Sequence, residues 1–496
     1  MAGEVTDVSS PPVKVAFVST PPTRMLSPLE KSMAVTTPTG KAVASMRGYL
    51  EEVEQIAKLD RQDAWLPITE SRNGNAFYST FHCLCSGIGF QVLVLPVAFT
   101  FLGWIWGTLC LSLAFIWQIY TLWLLVQLHE SATGIRYCRY IHLAKDCFGK
   151  RLGTLLAKFP TMYLSGGTCS ALVVVGGGNM KLFFEIACGP TCQSEPLSTI
   201  EWYLVFLFMA VILSQLPNLN SLVGVSLAGA ITAVSYCTII WAVSLSLGRL
   251  PHTSYTPVDG RGRINRMLDI VNAIGIIAFA FRGHNLVLEI QATMPSTPKH
   301  PSRIQMWRGV KAAYLVVAFC FYPIAIGGFW AYGNKIPPSG ILHALFAFHG
   351  NDTSRVVLGL TCLLVVINCL SSFQIYAMPV FDNLEAGYTG KNDKPCPRWL
   401  RSGFRAVFGS VVFLIAVAFP FLSDLAGLLG GIALPVTMAY PCFMWIVMKK
   451  PEKFSAVWCV NWALGSLGMG LSAVLVVGGL WRLIDVGLSV RFFKAQ

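Results

Sequence analysis

Arg282, Gly283, His284 and Asn285 stand together in an otherwise apolar run, IGIIAFAFRGHNLVLEIQATMP, from Ile274 to Pro295. An arginine at the centre of a membrane-spanning helix costs about 2.5–3.5 kcal/mol on insertion scales, so it faces protein, water or a ligand rather than lipid. Gly283 beside it lets the backbone leave helical geometry, which at membrane depth is tolerated only where it lines a cavity. A guanidinium, an imidazole and unwound backbone in one place suit ligand binding and proton transfer.

A second cluster lies in HCLCSGIGFQVLVLPVAF, where Ser86, Gly87, Gly89, Gln91 and Pro96 interrupt the first long apolar run. Small residues here fit either a close helix crossing or an unwound segment, and the density of Gly, Ser, Gln and Pro favours unwinding. Amides freed at Gly87 to Gly89, near a half-helix N-terminus, are expected to bind a substrate carboxylate. Carbonyls around Phe279 to Arg282 suit an ammonium, with Phe90, Phe279 and Phe281 closing over the site. Three readings of Arg282 stay open: a carboxylate clamp, a fixed internal cation, or the partner of an internal carboxylate. Further on, Asn368, Ser371, Ser372, Gln374 and Tyr376 are expected to share a helical face and complete a polar cavity. The coupling-proton candidates are His284, Glu289 and Asp382, with Asp424 and His82 in neighbouring spans.

The elements that position these residues follow from composition. The 496 residues are 54% hydrophobic and 12% charged, more apolar surface than a soluble chain of this length can bury. Eleven candidate spans cover residues 77–102, 103–128, 152–175, 200–216, 223–247, 267–288, 310–330, 356–376, 404–421, 425–448 and 457–480. The expected fold is an all-α polytopic membrane protein of about 11 transmembrane helices. Interruptions in the first and sixth spans point to a 5+5 inverted repeat with discontinuous helices 1 and 6. Repeat one covers about 77–247, repeat two about 267–448, and an extra helix about 457–480, all within a transporter domain of residues 61–490. Residues 1–60, rich in Ser, Thr and Pro, read as a disordered cytosolic tail, followed by a short amphipathic helix between Leu50 and Leu66.

With the N-terminus in the cytosol, Lys and Arg concentrate in the tail and the cytosolic loops, as the positive-inside rule requires. The loop carrying Arg249, Arg261, Arg263 and Arg266 dissents. The sequon Asn351-Asp352-Thr353 falls in an external loop of the same scheme, as a glycosylation acceptor must. An odd number of spans puts Gln496 outside. Most of the fifteen cysteines lie in apolar runs, but Cys188 and Cys192 share a polar external loop, where a disulfide is expected. The basic-apolar alternation RYCRYIHLAKDCFGKRLG predicts an interfacial cytosolic helix.

Long motifs carry a resemblance: GHNLVLEIQATMPSTP with Met306-Trp307-Arg308-Gly309, Leu66-Pro67-Ile68-Thr69, Tyr120-Thr121-Leu122-Trp123, LSQLPNLNSLVGVSL and QIYAMPVFD. Together they resemble the plant lysine/histidine transporter group of the amino acid/auxin permease family, from about Asp63 to the end. The resemblance implies a broken-helix fold of the amino acid, polyamine and organocation type and proton-coupled amino-acid uptake at the plasma membrane. The chain departs from its relatives at Gly89-Phe90-Gln91-Val92-Leu93-Val94-Leu95-Pro96, where they carry Gly-Ala-Gly-Val-Leu-Gly-Leu-Pro. It also departs at Arg282, where they carry a small residue, and at Ser165, where better-known members have glutamate. The expected partners are an amino acid, protons and the bilayer, with no cofactor, metal or nucleic acid. A non-transporting amino-acid sensor on the same fold is the alternative. An enzyme is not expected, because the sequence shows no nucleophile-base arrangement or metal-ligand spacing.

Overall fold

The computed structural model describes residues 62–131, 135–189, 197–258, 262–297, 299–418 and 426–486. The Ser/Thr/Pro-rich tail, most of the amphipathic helix expected before the membrane, Cys192 and Asp424 lie outside them. The described residues form helices and connecting turns with no strand. In chain order these are α1 (Ala76–Gly87), α2 (Gln91–Leu128), α3 (Tyr140–Phe148), α4 (Lys150–Cys188), α5 (Thr199–Leu213) and α6 (Val223–Ser246). Then come α7 (Arg263–Ala280), α8 (Val287–Ala292), α9 (Ser302–Tyr322), α10 (Gly328–Tyr332), α11 (Ile341–His349) and α12 (Arg355–Asn392). The last four are α13 (Arg398–Ala418), α14 (Ala426–Leu434), α15 (Tyr440–Lys449) and α16 (Ala456–Val486).

Eight helical stretches among the described residues are long and apolar enough to cross a membrane. The three remaining expected spans fall short for identifiable reasons. The fourth is a helix of only 15 residues, Thr199–Leu213. The first and sixth are broken, one between α1 and α2, the other between α7 and α8. α2 then serves two spans: Gly103, at φ 71° and ψ −175°, takes a conformation that only glycine adopts without strain, at the junction expected after Leu102. In the seventh and tenth spans, Pro323 and Pro435 each begin a five-residue π-helical turn. A proline has no N–H to give to the preceding turn, and the wider turn accommodates its ring. The basic-apolar alternation expected to form one interfacial helix is divided at Gly149, φ 83°, into α3 and the first turn of α4.

Glycines set the closest crossings. A methyl group on Gly430 would stand 2.0 Å from the Gly275 carbonyl oxygen, and one on Gly275 would stand 2.4 Å from the Gly427 carbonyl oxygen, so α7 and α14 touch backbone to backbone. Gly430→Val should therefore separate the two helices. Overpacking of this kind costs about 1–3 kcal/mol, and more where backbone is the obstacle. The expected result is a sharp loss of monodisperse protein in mild detergent. A wild-type yield and Tm would show that the seam is loose.

Candidate functional site

α1 ends at Gly87, Ile88 is extended (φ −108°, ψ 112°), and α2 resumes at Gln91. A helix terminus leaves its last four carbonyls without helical partners. Here each receives a side-chain hydrogen bond. Ser372 Oγ donates to Cys85 O at 2.9 Å, Tyr376 Oη to Ser86 O at 2.7 Å, Gln91 Nε2 to Gly87 O at 2.8 Å, and Asn368 Nδ2 to Ile88 O at 3.4 Å. Three of the four donors come from α12, spaced by four residues along one face. Three of the five polar residues expected to share a cavity-lining face, Asn368, Ser372 and Tyr376, thus cap the first break, while Gln374 Nε2 donates to Ala210 O at 3.0 Å. On the other side of the gap, the N–H groups of Gly89 and Phe90 have no hydrogen-bond acceptor among the described residues.

The second break abuts the first. α7 stops at Ala280, residues Arg282–Leu286 form a 3₁₀ turn, and a methyl group on Gly283 would lie 2.9 Å from Ser86 O. Glycine is what permits this approach. Phe281 O accepts from Gln118 Nε2 at 3.4 Å. Arg282 is 1% exposed, and its guanidinium lies 4.4 Å from the Phe279 ring centroid, 4.8 Å from Phe90 and 5.4 Å from Tyr376. Cation–π contacts are worth about 2 kcal/mol or more when desolvated, which offsets part of the cost of burying the charge. No carboxylate among the described residues pairs with it, so the internal-carboxylate reading gains no support, and Nε and Nη1 have no acceptor.

The other expected site residues divide. Ser165 is fully buried with an unpartnered Oγ, and Gln91 Oε1 is likewise unpartnered beside Gly89. Phe281 packs on Phe115 and Phe321 and is not among the rings over Arg282; Tyr376 takes that place. Ser371 bonds its own helix at Ile367 O and packs against Gly229. Glu289 is buried, accepts from Tyr140 N–H at 3.2 Å through Oε1, and leaves Oε2 unpartnered. It lines a space of about 10 Å³, room for roughly one water. Asp382 is held by Arg139 Nε at one oxygen and by Arg139 Nη2 (3.2 Å) and Ile68 N–H (3.3 Å) at the other. The same Arg139 reaches Asp63 at 2.8 Å. His284 lies in the 3₁₀ turn, but its side chain is outside those described. His82 Nδ1 meets Ser226 Oγ at 2.8 Å, and its Nε2 is unpartnered. Cys188 is disulfide-bonded. Asn351 is exposed.

Two residues escaped the sequence reading. Gln118 was legible as a lone polar side chain in an apolar span. Arg139 was hidden inside a run whose alternation suggested a membrane surface.

Between α2, α4, α5 and α11 lies a cavity of 380 Å³, with Phe90, Asn179, Lys181, Glu185 and His343 among its walls. Phe90 therefore borders both this cavity and the Arg282 guanidinium. At the opposite end of α4, the Asp63–Arg139–Asp382 cluster ties the segment before α1, the residue before α3 and α12 together.

Paired discontinuous helices in a bundle of long apolar helices are the architecture of a polytopic membrane transporter. The fold agrees with that of a sodium-coupled sialic acid symporter in its substrate-bound, outward-open state (TM-score 0.53, 12% identity, covering 89% of this chain and 97% of that one). The profile of the transmembrane amino acid transporter protein family matches residues 72–485, and the chain belongs to that family, one of transporters and not of enzymes. It is 57% identical over 484 residues to lysine histidine transporter-like 8 of Arabidopsis thaliana, covering 98% of this chain and 93% of that protein. It is 46% identical over 436 residues to lysine histidine transporter-like 7 of the same plant, covering 87% and 90%.

Proposed function

We propose that the protein carries out proton-coupled uptake of amino acids across the plasma membrane, with the substrate held where the two breaks meet. The observation that carries this is the set of unspent donors around the gap: Gly89 N–H, Phe90 N–H, and Nε and Nη1 of Arg282. Together they match a carboxylate, with the positive end of α2 adding to the attraction. The unpartnered oxygens of Gln91 and Ser165 supply acceptors for the ammonium. Phe279 and Phe90 shut the site from two sides, and rotation of Phe90 joins it to the 380 Å³ cavity. Asn368, Ser372 and Tyr376 position the break without touching the substrate, and Ser371 packs rather than binds.

With the N-terminus and α3 in the cytosol, the cavity opens outward, and Cys188, Asn351 and the C-terminus are extracellular. The Arg139 cluster then closes the cytosolic side. His284 and Glu289 carry the coupling proton, and His82, buried with Nε2 unpartnered as Glu289 is buried with Oε2 unpartnered, is a further carrier. Asp382, with both oxygens taken, is an anchor.

The test is uptake of labelled amino acids into proteoliposomes under an imposed pH gradient. Wild type should accumulate substrate only when the entry side is acid, and the His284→Gln, Glu289→Gln double variant should lose that dependence. Full pH dependence in the double variant would remove both residues as carriers. Saturable binding without accumulation would favour a sensor.

A further inference from the structure

We propose that a groove between α2 and α9 binds one acyl chain of an anionic phospholipid, with Lys311 holding the headgroup phosphate. The groove has a volume of 240 Å³ and is walled by Phe115 and Ile119 of α2 and by Trp307, Tyr314 and Ala318 of α9, with Lys311 its one charged wall residue. Positions 307, 311, 314 and 318 repeat at steps of four and three, so they form one stripe of the helix, about 16 Å long at 1.5 Å per residue. Its flanks are apolar and bare: Ile116 is 65% exposed and Leu315 62%. Such a surface in a spanning segment meets hydrocarbon.

Charge selects the kind of lipid. Lys311 is exposed, and so are Arg308 and Arg303 in the preceding turns of α9, next to Trp307, a residue type that favours the headgroup level. A lysine in the wall of an apolar groove, with two more exposed cations earlier on the same helix, matches a chain that ends in a phosphate without a compensating positive charge. A sterol offers only a hydroxyl to these cations.

The back of the groove touches the machinery of the sixth span. Tyr314 Oη accepts from Gln118 Nε2 at 2.7 Å, and the same nitrogen lies 3.4 Å from Phe281 O at the break. The Phe115 ring is 6.3 Å from Tyr314 and 6.2 Å from Phe281. A chain seated in the groove braces both residues, so lipid occupancy is coupled to the geometry of the break.

The test uses the full chain and two lipids brominated on the acyl chain, phosphatidylglycerol and phosphatidylcholine. The signal is quenching of Trp307 fluorescence, read as wild type minus Trp307→Phe. The phosphatidylglycerol should quench at about fivefold lower concentration, the scale for one basic side chain near an anionic headgroup. Lys311→Gln should narrow the gap between the two lipids, and Ala318→Phe, which fills the groove, should abolish the Trp307 signal. Equal quenching by both lipids in wild type, an unchanged preference in Lys311→Gln, or displacement of the phosphatidylglycerol by a sterol would each overturn the proposal.

Discussion

Arg282→Ala should lower amino-acid uptake at subsaturating substrate by about 10- to 150-fold, mainly through weaker binding. The range follows from the loss of one charge-assisted hydrogen bond to a carboxylate, about 1.5–3 kcal/mol. Arg282 is suited to such a bond because Nε and Nη1 have no acceptor among the described residues. Stability should respond in the opposite direction. A buried charge without a counter-charge is costly, and replacing it by an apolar side chain of similar size is often neutral or stabilising. Arg282→Met should therefore keep or raise the Tm while lowering uptake. A variant that melts early yet transports normally would make Arg282 a packing residue. Arg282→Lys keeps the charge but loses the planar fork, and should fall between the two.

Asp382→Asn should weaken the closure on the face that bears α3. Arg139 is 4% exposed and divides its guanidinium between Asp63 and Asp382, so removing one carboxylate leaves a buried cation half paired. Breaking a buried pair from one side typically costs about 3–5 kcal/mol. Cys138, the neighbour of Arg139 and 1% exposed, is the natural reporter. Its labelling by a membrane-impermeant thiol reagent applied from that face should rise in Asp382→Asn and in Arg139→Gln. In the double variant the loss in Tm should be smaller than the sum of the single losses, because the two groups act on each other. Unchanged labelling with additive losses would mean that the cluster does not hold this face closed.

The architecture was legible where one physical rule governs it. Long apolar runs mark spans because an unpaired backbone cannot face lipid, and Gly87, Gly89 and Gly283 mark breaks because glycine readily leaves helical geometry, Gly283 also admitting the Ser86 carbonyl at a distance no other residue accepts. Partner choice was not legible. Asn368, Ser372 and Tyr376 form a polar stripe that fits a cavity wall as well as a row of caps. Only the fold places three orphan carbonyls opposite it. In the same way, Phe279, Phe281 and Phe90 are equivalent as letters, yet the turn at Ala280 sends Phe281 to Phe115 and leaves Phe279 over the guanidinium. Asp382 looked like a titratable group near the spans, because nothing in the local sequence announces that Arg139, 243 residues away, will occupy it. Lone polar residues within apolar spans, Gln118 among them, were the signal left unused.

The central claim is that an amino acid sits between the break at Gly87–Phe90 and Arg282. A structure of the protein with its transported amino acid bound would test this most directly. The account predicts density in that gap, with the carboxylate within hydrogen-bond distance of the Arg282 guanidinium and of the Gly89 or Phe90 N–H. Substrate found only in the cavity bounded by Lys181 and His343, with Arg282 still enclosed by Phe90, Phe279 and Tyr376, would contradict it.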